Sequence, residues 1–281
     1  MKNTPYKTFQ ECLRTTGRYE TVPSDDSAAP ARISVMNSFL YGFTIVRICA
    51  RCAIRHLFHK FDYDEWSKIC MASVVFAEKL GGVVTFEGFE RRAAYQGPVV
   101  YVSNHMSTLE TMVFPTTLIS FGKLAIILKK SLTETPLVGK AALHVGSIAV
   151  TRENAREDLK TVLEEGAKRL ADGHSVLLFP QGTRQAVFDA KRFNSLGSKL
   201  AERAGVPVVP LAVKTDFLKT GKWIKDFGEV DPNKPIRFAC GPVLPASLGA
   251  RQTHDQSVAF ITAKLKEWGL PVAAGDVRNE V

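Results

Sequence analysis

The stretch Val99-Val100-Tyr101-Val102-Ser103-Asn104-His105-Met106-Ser107-Thr108-Leu109-Glu110 decides how the rest of the chain is read. Its first four residues form an unbroken apolar run, the composition of a strand buried on both faces. Polar residues follow, and then a segment that can be helical. A histidine and a carboxylate at such a strand-to-helix junction can form a general-base pair. On one continuous helix the spacing of His105 and Glu110 turns about 500°, so their side chains diverge by about 140°. They meet only if His105 precedes the first helical turn and Glu110 lies just inside it, a geometry that Ser103 or Asn104 as N-cap would permit. The carboxylate then fixes one ring nitrogen and leaves the other to take a proton from a hydroxyl. On this pair alone, a structural histidine at a strand end is the alternative.

Outward from this junction, short apolar runs alternate with amphipathic segments. Strands are predicted at 83–86, 99–102, 124–128, 147–150, 175–179 and 206–213, and helices at 152–171, 193–204 and 255–268. This alternation predicts an α/β domain over 81–270, with a central, mostly parallel sheet flanked by helices. A helix over 64–80 precedes it, closed by Gly81-Gly82.

Residues 35–58 carry Val35, Phe39, Phe43, Val46, Ala50, Ile54 and Leu57 on one helical face, with Arg47, Arg51 and Arg55 striped along its edge. Burying those arginines in mid-bilayer would cost about 2.5 kcal/mol or more each. A helix lying in the membrane plane avoids that cost, with Phe39 and Phe43 in lipid and the arginines reaching phosphates. Residues 33–80 are therefore read as an N-terminal amphipathic membrane anchor, a docking helix on the protein's own core being the alternative. Residues 1–32 are polar, carry no signal-peptide pattern and read as a flexible lead, and 271–281 as a frayed tail. The expected location is the cytoplasmic face of a membrane, peripheral or monotopic.

Composition points the same way. At 281 residues and 45% hydrophobic, the chain can bury a full core. Its 37 Lys and Arg against 28 Asp and Glu give +9, which implies an anionic partner. No nucleic-acid motif is present, so a membrane surface or a phosphorylated ligand is the better reading. Five scattered cysteines, with a lone Cys49-x-x-Cys52, read as small apolar residues in a reducing compartment rather than a metal or redox site.

Three further stretches fall at predicted strand ends. Phe179-Pro180-Gln181-Gly182-Thr183-Arg184 offers a turn whose backbone N–H groups and arginine suit an anion. Lys129-Lys130-Ser131-Leu132 leads through Pro136, Gly139 and Gly146 to Ile148-Ala149-Val150-Thr151-Arg152, where Arg152 offers a second phosphate contact. Val206-Pro207-Val208-Val209-Pro210 reads as an edge or irregular strand beside an apolar pocket, because of its prolines. Beyond these, Phe121, Phe188 and Phe193 are either core or the lining of an acyl tunnel, and the lysine- and aromatic-bearing 214–225 is a loop for the headgroup layer or plain solvent.

In this order and at these spacings the four blocks resemble the 1-acyl-sn-glycerol-3-phosphate acyltransferases, whose pattern is NHxxxxD, KxxL…P..G…G..FI.R, FPEGTR and VPVVP. The resemblance covers roughly residues 80–215. It implies the glycerolipid acyltransferase fold and transfer of a fatty acyl group from acyl-CoA or acyl-carrier protein to the sn-2 hydroxyl of lysophosphatidic acid. His105 would be the base and Glu110 its orienting carboxylate. Lys129, Arg152, Gln181, Gly182, Thr183 and Arg184 would bind the phosphate, and Val206 to Pro210 would border the acyl pocket. No metal or cofactor is implied, and the partners are a phospholipid surface, a lysophospholipid and the acyl donor. The sequence departs from the pattern at Glu110, for aspartate, and at Gln181, for glutamate. Those departures leave two alternatives: acylation of another lysolipid, or a silent lipid-binding member of the fold. Hydrolysis ranks lower, since no GxSxG elbow is present.

Overall fold

The computed structural model of the chain describes residues 6–21, 35–221 and 228–273. Its elements in chain order are α1 (Tyr6–Thr15), β1 (Tyr19–Glu20), α2 (Val35–Leu57), α3 (Tyr63–Lys79), β2 (Val84–Glu87), α4 (Glu90–Ala93), β3 (Val100–Ser103) and α5 (Thr108–Leu118). The second half runs β4 (Lys123–Lys129), α6 (Lys130–Thr133), α7 (Gly139–His144), β5 (Ile148–Val150), α8 (Ala155–Ala171), β6 (His174–Leu178), α9 (Leu196–Ala204), β7 (Val208–Lys214), β8 (Ile236–Cys240) and α10 (Gly249–Glu267).

Among the described residues the strands form one sheet in the order β1-β2-β8-β7-β3-β6-β4-β5. From β7 to β5 every neighbouring pair is parallel, whereas β7–β8 and β1–β2 are antiparallel. The expected α/β architecture with a mostly parallel sheet is the one observed. Five parallel strands thus end on one edge, and the segments that follow Ser103, Lys129, Val150, Leu178 and Lys214 all emerge there.

Alternation along the central strands divides the core in two. Tyr101, Leu177, Val209 and Leu211 face one side, packed with Phe9, Val74, Leu109 and Phe114 of α1, α3 and α5. Val100, Val102, Val176 and Val208 face the other, with Val162, Leu200 and Ile261 of α8, α9 and α10. Each such side chain removed from water contributes roughly 1.5–3 kcal/mol. α9 approaches β3 closely because residue 197 is glycine: a Cβ there would stand 2.4 Å from Val102 Cγ1.

Several expectations need correction. Val206 to Pro210 do not form an edge: β7 lies between β8 and β3, and all of its residues are buried. Pro210 is accommodated at a bulge. Leu211 pairs with Cys240 and Val208 bridges Leu244, so the partner strand has one residue more over this interval. Pro210 still accepts from Gly241 N at 2.8 Å. Phe188 and Phe193 lie in the α8–α10 side of the core and Phe121 packs against the opposite side, as the core reading of these residues expects. Residues 6–20, expected within the polar lead, form α1 and β1, with Phe9 and Leu13 buried and Tyr19 paired with Phe86. Val272, expected in the tail, bridges Phe188. In the 214–225 stretch, Lys214 is buried and pairs with Asp216 at 2.9 Å, and Phe217 sits under Tyr41 of α2. The rest of that expected loop, from Lys222 on, lies outside the described residues, as do 1–5, 22–34 and 274–281.

α2 packs Tyr41, Ile45, Ile48 and Cys52 inward against α3 and leaves the predicted apolar face in solvent, with Phe39 66%, Phe43 57% and Leu57 69% exposed. That face does not dock on the protein's own core. Arg47 and Arg51 are exposed beside it, but Arg55 turns to Glu65 of α3 at 2.7 Å and leaves the expected stripe. Among the described residues no helix is long and apolar enough to cross a membrane.

Candidate active site

His105 and Glu110 meet because α5 begins between them. Ser107, extended at φ −144°, is the N-cap, and Glu110 is the third helical residue, so the two close a capping box. The cap is therefore Ser107, not Ser103 or Asn104. Asn104 is instead committed to β7, giving Nδ2 to Val213 O at 2.9 Å and taking Val213 N at 2.8 Å.

The Glu110 carboxylate is fully buried and surrounded by donors. Oε1 accepts from His105 Nδ1 at 2.8 Å, Met106 N at 2.7 Å and Ser107 N at 2.8 Å. Oε2 accepts from Ser107 Oγ at 2.9 Å and Thr215 Oγ1 at 2.6 Å. Burial pushes the carboxyl's pKa up, but His105, Thr215 and the Ser107 backbone outweigh it and hold the group below its ordinary range. An ionised carboxylate only accepts, so His105 Nδ1 carries the proton and Nε2 of the neutral ring is left as an acceptor. Phe179 stacks on the imidazole with ring centroids 4.2 Å apart.

The Phe179–Arg184 turn is laced to the same histidine. His105 N donates to Gln181 Oε1 at 2.9 Å, Gln181 Nε2 donates to Gln185 Oε1 at 3.1 Å, and Gln185 N donates to His105 O at 2.9 Å. Gln181 is buried, with both ends of its amide engaged in this lacing. Gly182 adopts φ 72°, a left-handed conformation natural to glycine, and spends its N–H on Phe179 O at 2.9 Å. Thr183, exposed at the tip, keeps its N–H unbonded among the described residues.

Two arginines flank the turn. Arg184 donates to Thr108 Oγ1 at the start of α5. Arg152, beyond β5, reaches the carbonyl of Gly182 from the other side. Its backbone has φ 63°, unusual for a side-chain-bearing residue. Asp158 holds it so, accepting from Thr151 N at 2.8 Å and Arg152 N at 2.6 Å. Lys129 ends β4, paired with Val150 of β5 and exposed on the same edge. The blocks at the strand ends therefore converge on one edge, and Val206 to Pro210 lead into and form part of the neighbouring strand β7.

Sequence reading missed Ser107, Thr215, Asp158 and the stacked Phe179. Ser107 carries a legible signal, since Ser-x-x-Glu is a capping-box pattern. Thr215 carries none, lying 105 residues from the carboxylate it contacts.

A family described as Acyltransferase matches residues 83–214. The chain is 36% identical over 172 residues to the 1-acyl-sn-glycerol-3-phosphate acyltransferase of Pseudomonas aeruginosa, covering 61% of this chain and 62% of that protein. It is 31% identical over 214 residues to one from Chlamydomonas reinhardtii, covering 75% and 59%. A chloroplastic one from Arabidopsis thaliana is 30% identical, covering 60% and 43%. In each case the match spans less than two thirds of the relative's own length. The crystal structure of the 1-acyl-sn-glycerophosphate acyltransferase PlsC from Thermotoga maritima superposes with a TM-score of 0.58 at 18% identity, covering 83% of this chain and 95% of that one. That likeness speaks to the fold. The Acyltransferase match covers somewhat less than half of the chain and includes the segments that carry His105, Glu110, Arg152 and Arg184.

Proposed function

We propose that the protein transfers a fatty acyl group from a thioester, acyl-CoA or acyl-carrier protein, to the sn-2 hydroxyl of lysophosphatidic acid, giving phosphatidic acid. The observation that carries this reading is the His105–Glu110 pair, with Nδ1 spent on a buried carboxylate. His105 Nε2 takes the proton of the acceptor's hydroxyl as its oxygen bonds to the thioester carbonyl carbon. The tetrahedral intermediate collapses with cleavage of the C–S bond, and the imidazolium returns its proton to the departing thiolate. Glu110 holds the ring and stabilises the imidazolium between these two transfers. The unbonded Thr183 N–H offers a backbone donor to steady the oxyanion. Arg152, Arg184 and Lys129 hold the acceptor's phosphate, the arginines through their forked donors. The base activates the hydroxyl directly, so the scheme needs no metal or cofactor.

The same reading puts the protein on a lipid surface at the cytoplasmic side. Both substrates carry acyl chains, and the exposed face of α2, bordered by Arg47 and Arg51, suits in-plane binding to anionic lipid. α2 is also tied to the segment that follows β7: Ser38 Oγ accepts from Val230 N at 2.9 Å.

Incubating the purified protein with acyl-CoA and lysophosphatidic acid in vesicles tests the acceptor. Phosphatidic acid is the expected product. Turnover with other lysolipids but none with lysophosphatidic acid would reassign the acceptor, and thioester consumption yielding only free fatty acid would replace acyl transfer by hydrolysis.

A further inference from the structure

A cleft of about 430 Å³ opens between the last turns of α2 and the segment 133–141 that spans α6 and α7. Ala53, His56 and Leu57 line one wall, and Glu134, Pro136 and Lys140 are among the residues of the other. Nothing in the acyl-transfer scheme uses it. Its surroundings are of two kinds. Exposed apolar side chains stand on both sides, Ile54, Leu57 and Phe58 on one and Leu132, Leu137 and Leu143 on the other. Between them stand Lys140 and two facing imidazoles, the His56 ring 5.0 Å from that of His144, with His59 close by and Glu134 on the opposite wall.

We propose that this cleft seats the phosphate of an anionic membrane lipid, so that the α6–α7 segment docks on the bilayer beside α2. Greasy margins around a recess that bears Lys140 and protonatable imidazoles match a lipid whose chains stay in the bilayer while its headgroup projects. The threonines of the segment are not the donors: Thr133 and Thr135 give their hydroxyl hydrogens to Lys130 O and Leu132 O, which leaves Lys140 and the imidazoles as side-chain donors. His56 faces His144 and Lys140 from α7, His59 from its own chain's turn, and Glu134 as the carboxylate of the opposite wall. Burial and then these like charges hold the His56 imidazole below its ordinary pKa. An anion relieves that repulsion, so binding strengthens as pH falls and the imidazoles charge. The segment joins Lys129 to Arg152, so its docking places both candidate phosphate ligands next to the lipid.

The proposal rests on the membrane reading of α2, and one flotation experiment separates the two. The parent is floated with phosphatidylcholine vesicles, with and without added phosphatidylglycerol, alongside Lys140→Gln and a control, Lys160→Gln, on α8 across the sheet. Lys140→Gln is expected to bind the anionic vesicles about fivefold more weakly than the parent, with no change on phosphatidylcholine. Lys160→Gln should match the parent throughout. On anionic vesicles the parent's affinity should rise as pH falls through the imidazole range, and His56→Gln combined with His144→Gln should flatten that rise. A Lys140→Gln protein that floats as the parent does overturns the cleft assignment alone. So does displacement of the parent by inorganic phosphate at matched ionic strength, which would make this a site for free phosphate. A parent that floats with neither vesicle overturns the α2 reading, and this one with it.

Discussion

At the scale of single residues, the extra methylene of Glu110 becomes intelligible once its position is known. At the third place of α5 a glutamate reaches back to the Ser107 N–H and His105 Nδ1 together, the reach of a capping box. The departure from aspartate is therefore compatible with an oriented base. Thr215 completes that carboxylate's environment, and it acts through Glu110 rather than on substrate. Thr215→Val removes a hydrogen bond to a charged, buried group, a loss of about 1.5–3 kcal/mol. The expected result is a kcat at least tenfold lower with KM little changed, and Thr215→Ser should restore it. Thr215 is among the groups that hold the Glu110 carboxyl low, so the acid limb of the pH–rate profile should move to higher pH in the valine variant. An unmoved limb would reduce Thr215 to packing. Asp158 plays the corresponding part for Arg152. Asp158→Ala frees that backbone from its positive φ, and KM for the lysolipid should rise with kcat less affected, as initial rates against acceptor concentration would reveal.

At the scale of elements, the sequence revealed most where one element carried its own pattern. The strand before His105, the exposed stripe of α2 and the strand-end turn all showed in periodicity or in Gly and Pro placement. What stayed hidden depends on partners distant in the chain. Arg55 looked like part of a lipid-facing stripe, but Glu65 on the next helix captures it. The prolines around Val208 pointed to an edge, because a bulge opposite Pro210 cannot be seen from one strand alone. α1 is short and sits in a polar composition, and only its docking of Phe9 and Leu13 into the core makes it worth folding. Arg47→Glu with Arg51→Glu should release the protein from anionic vesicles without lowering its melting temperature. Arg55 is left out because it also joins α2 to α3. Flotation equal to the parent's would remove α2 from the membrane.

At the scale of the whole molecule, stability and catalysis draw on the same parallel sheet. Arg92, fully buried beneath β3, donates to Tyr101 Oη at 2.6 Å and to the carbonyls of Tyr95 at 2.6 Å and Gly97 at 2.9 Å. Arg92→Ala strands those acceptors and leaves a large void, so the urea midpoint should drop by the equivalent of about 3 kcal/mol or more. The molecule also has a built-in acid sensitivity. His174, with its ring 2.7 Å from Tyr63 Oη, and His254 are both held below the ordinary imidazole pKa, in each case chiefly by burial. The unfolded chain then binds protons first as pH falls below about 6.5, and stability is lost over that window. Urea midpoints between neutral and mildly acid pH should decline, and a His174→Gln variant should decline less.

The proposed acyl transfer turns on His105, oriented by Glu110, as its base. Initial rates of phosphatidic acid formation by the parent and by His105→Ala, in the same vesicles with acyl-CoA and lysophosphatidic acid, test it most directly. A loss on the order of a hundredfold to ten-thousandfold is expected, in a variant that folds and floats like the parent. A His105→Ala protein that keeps its rate within a few fold would contradict it, and the proton would have to leave by another route.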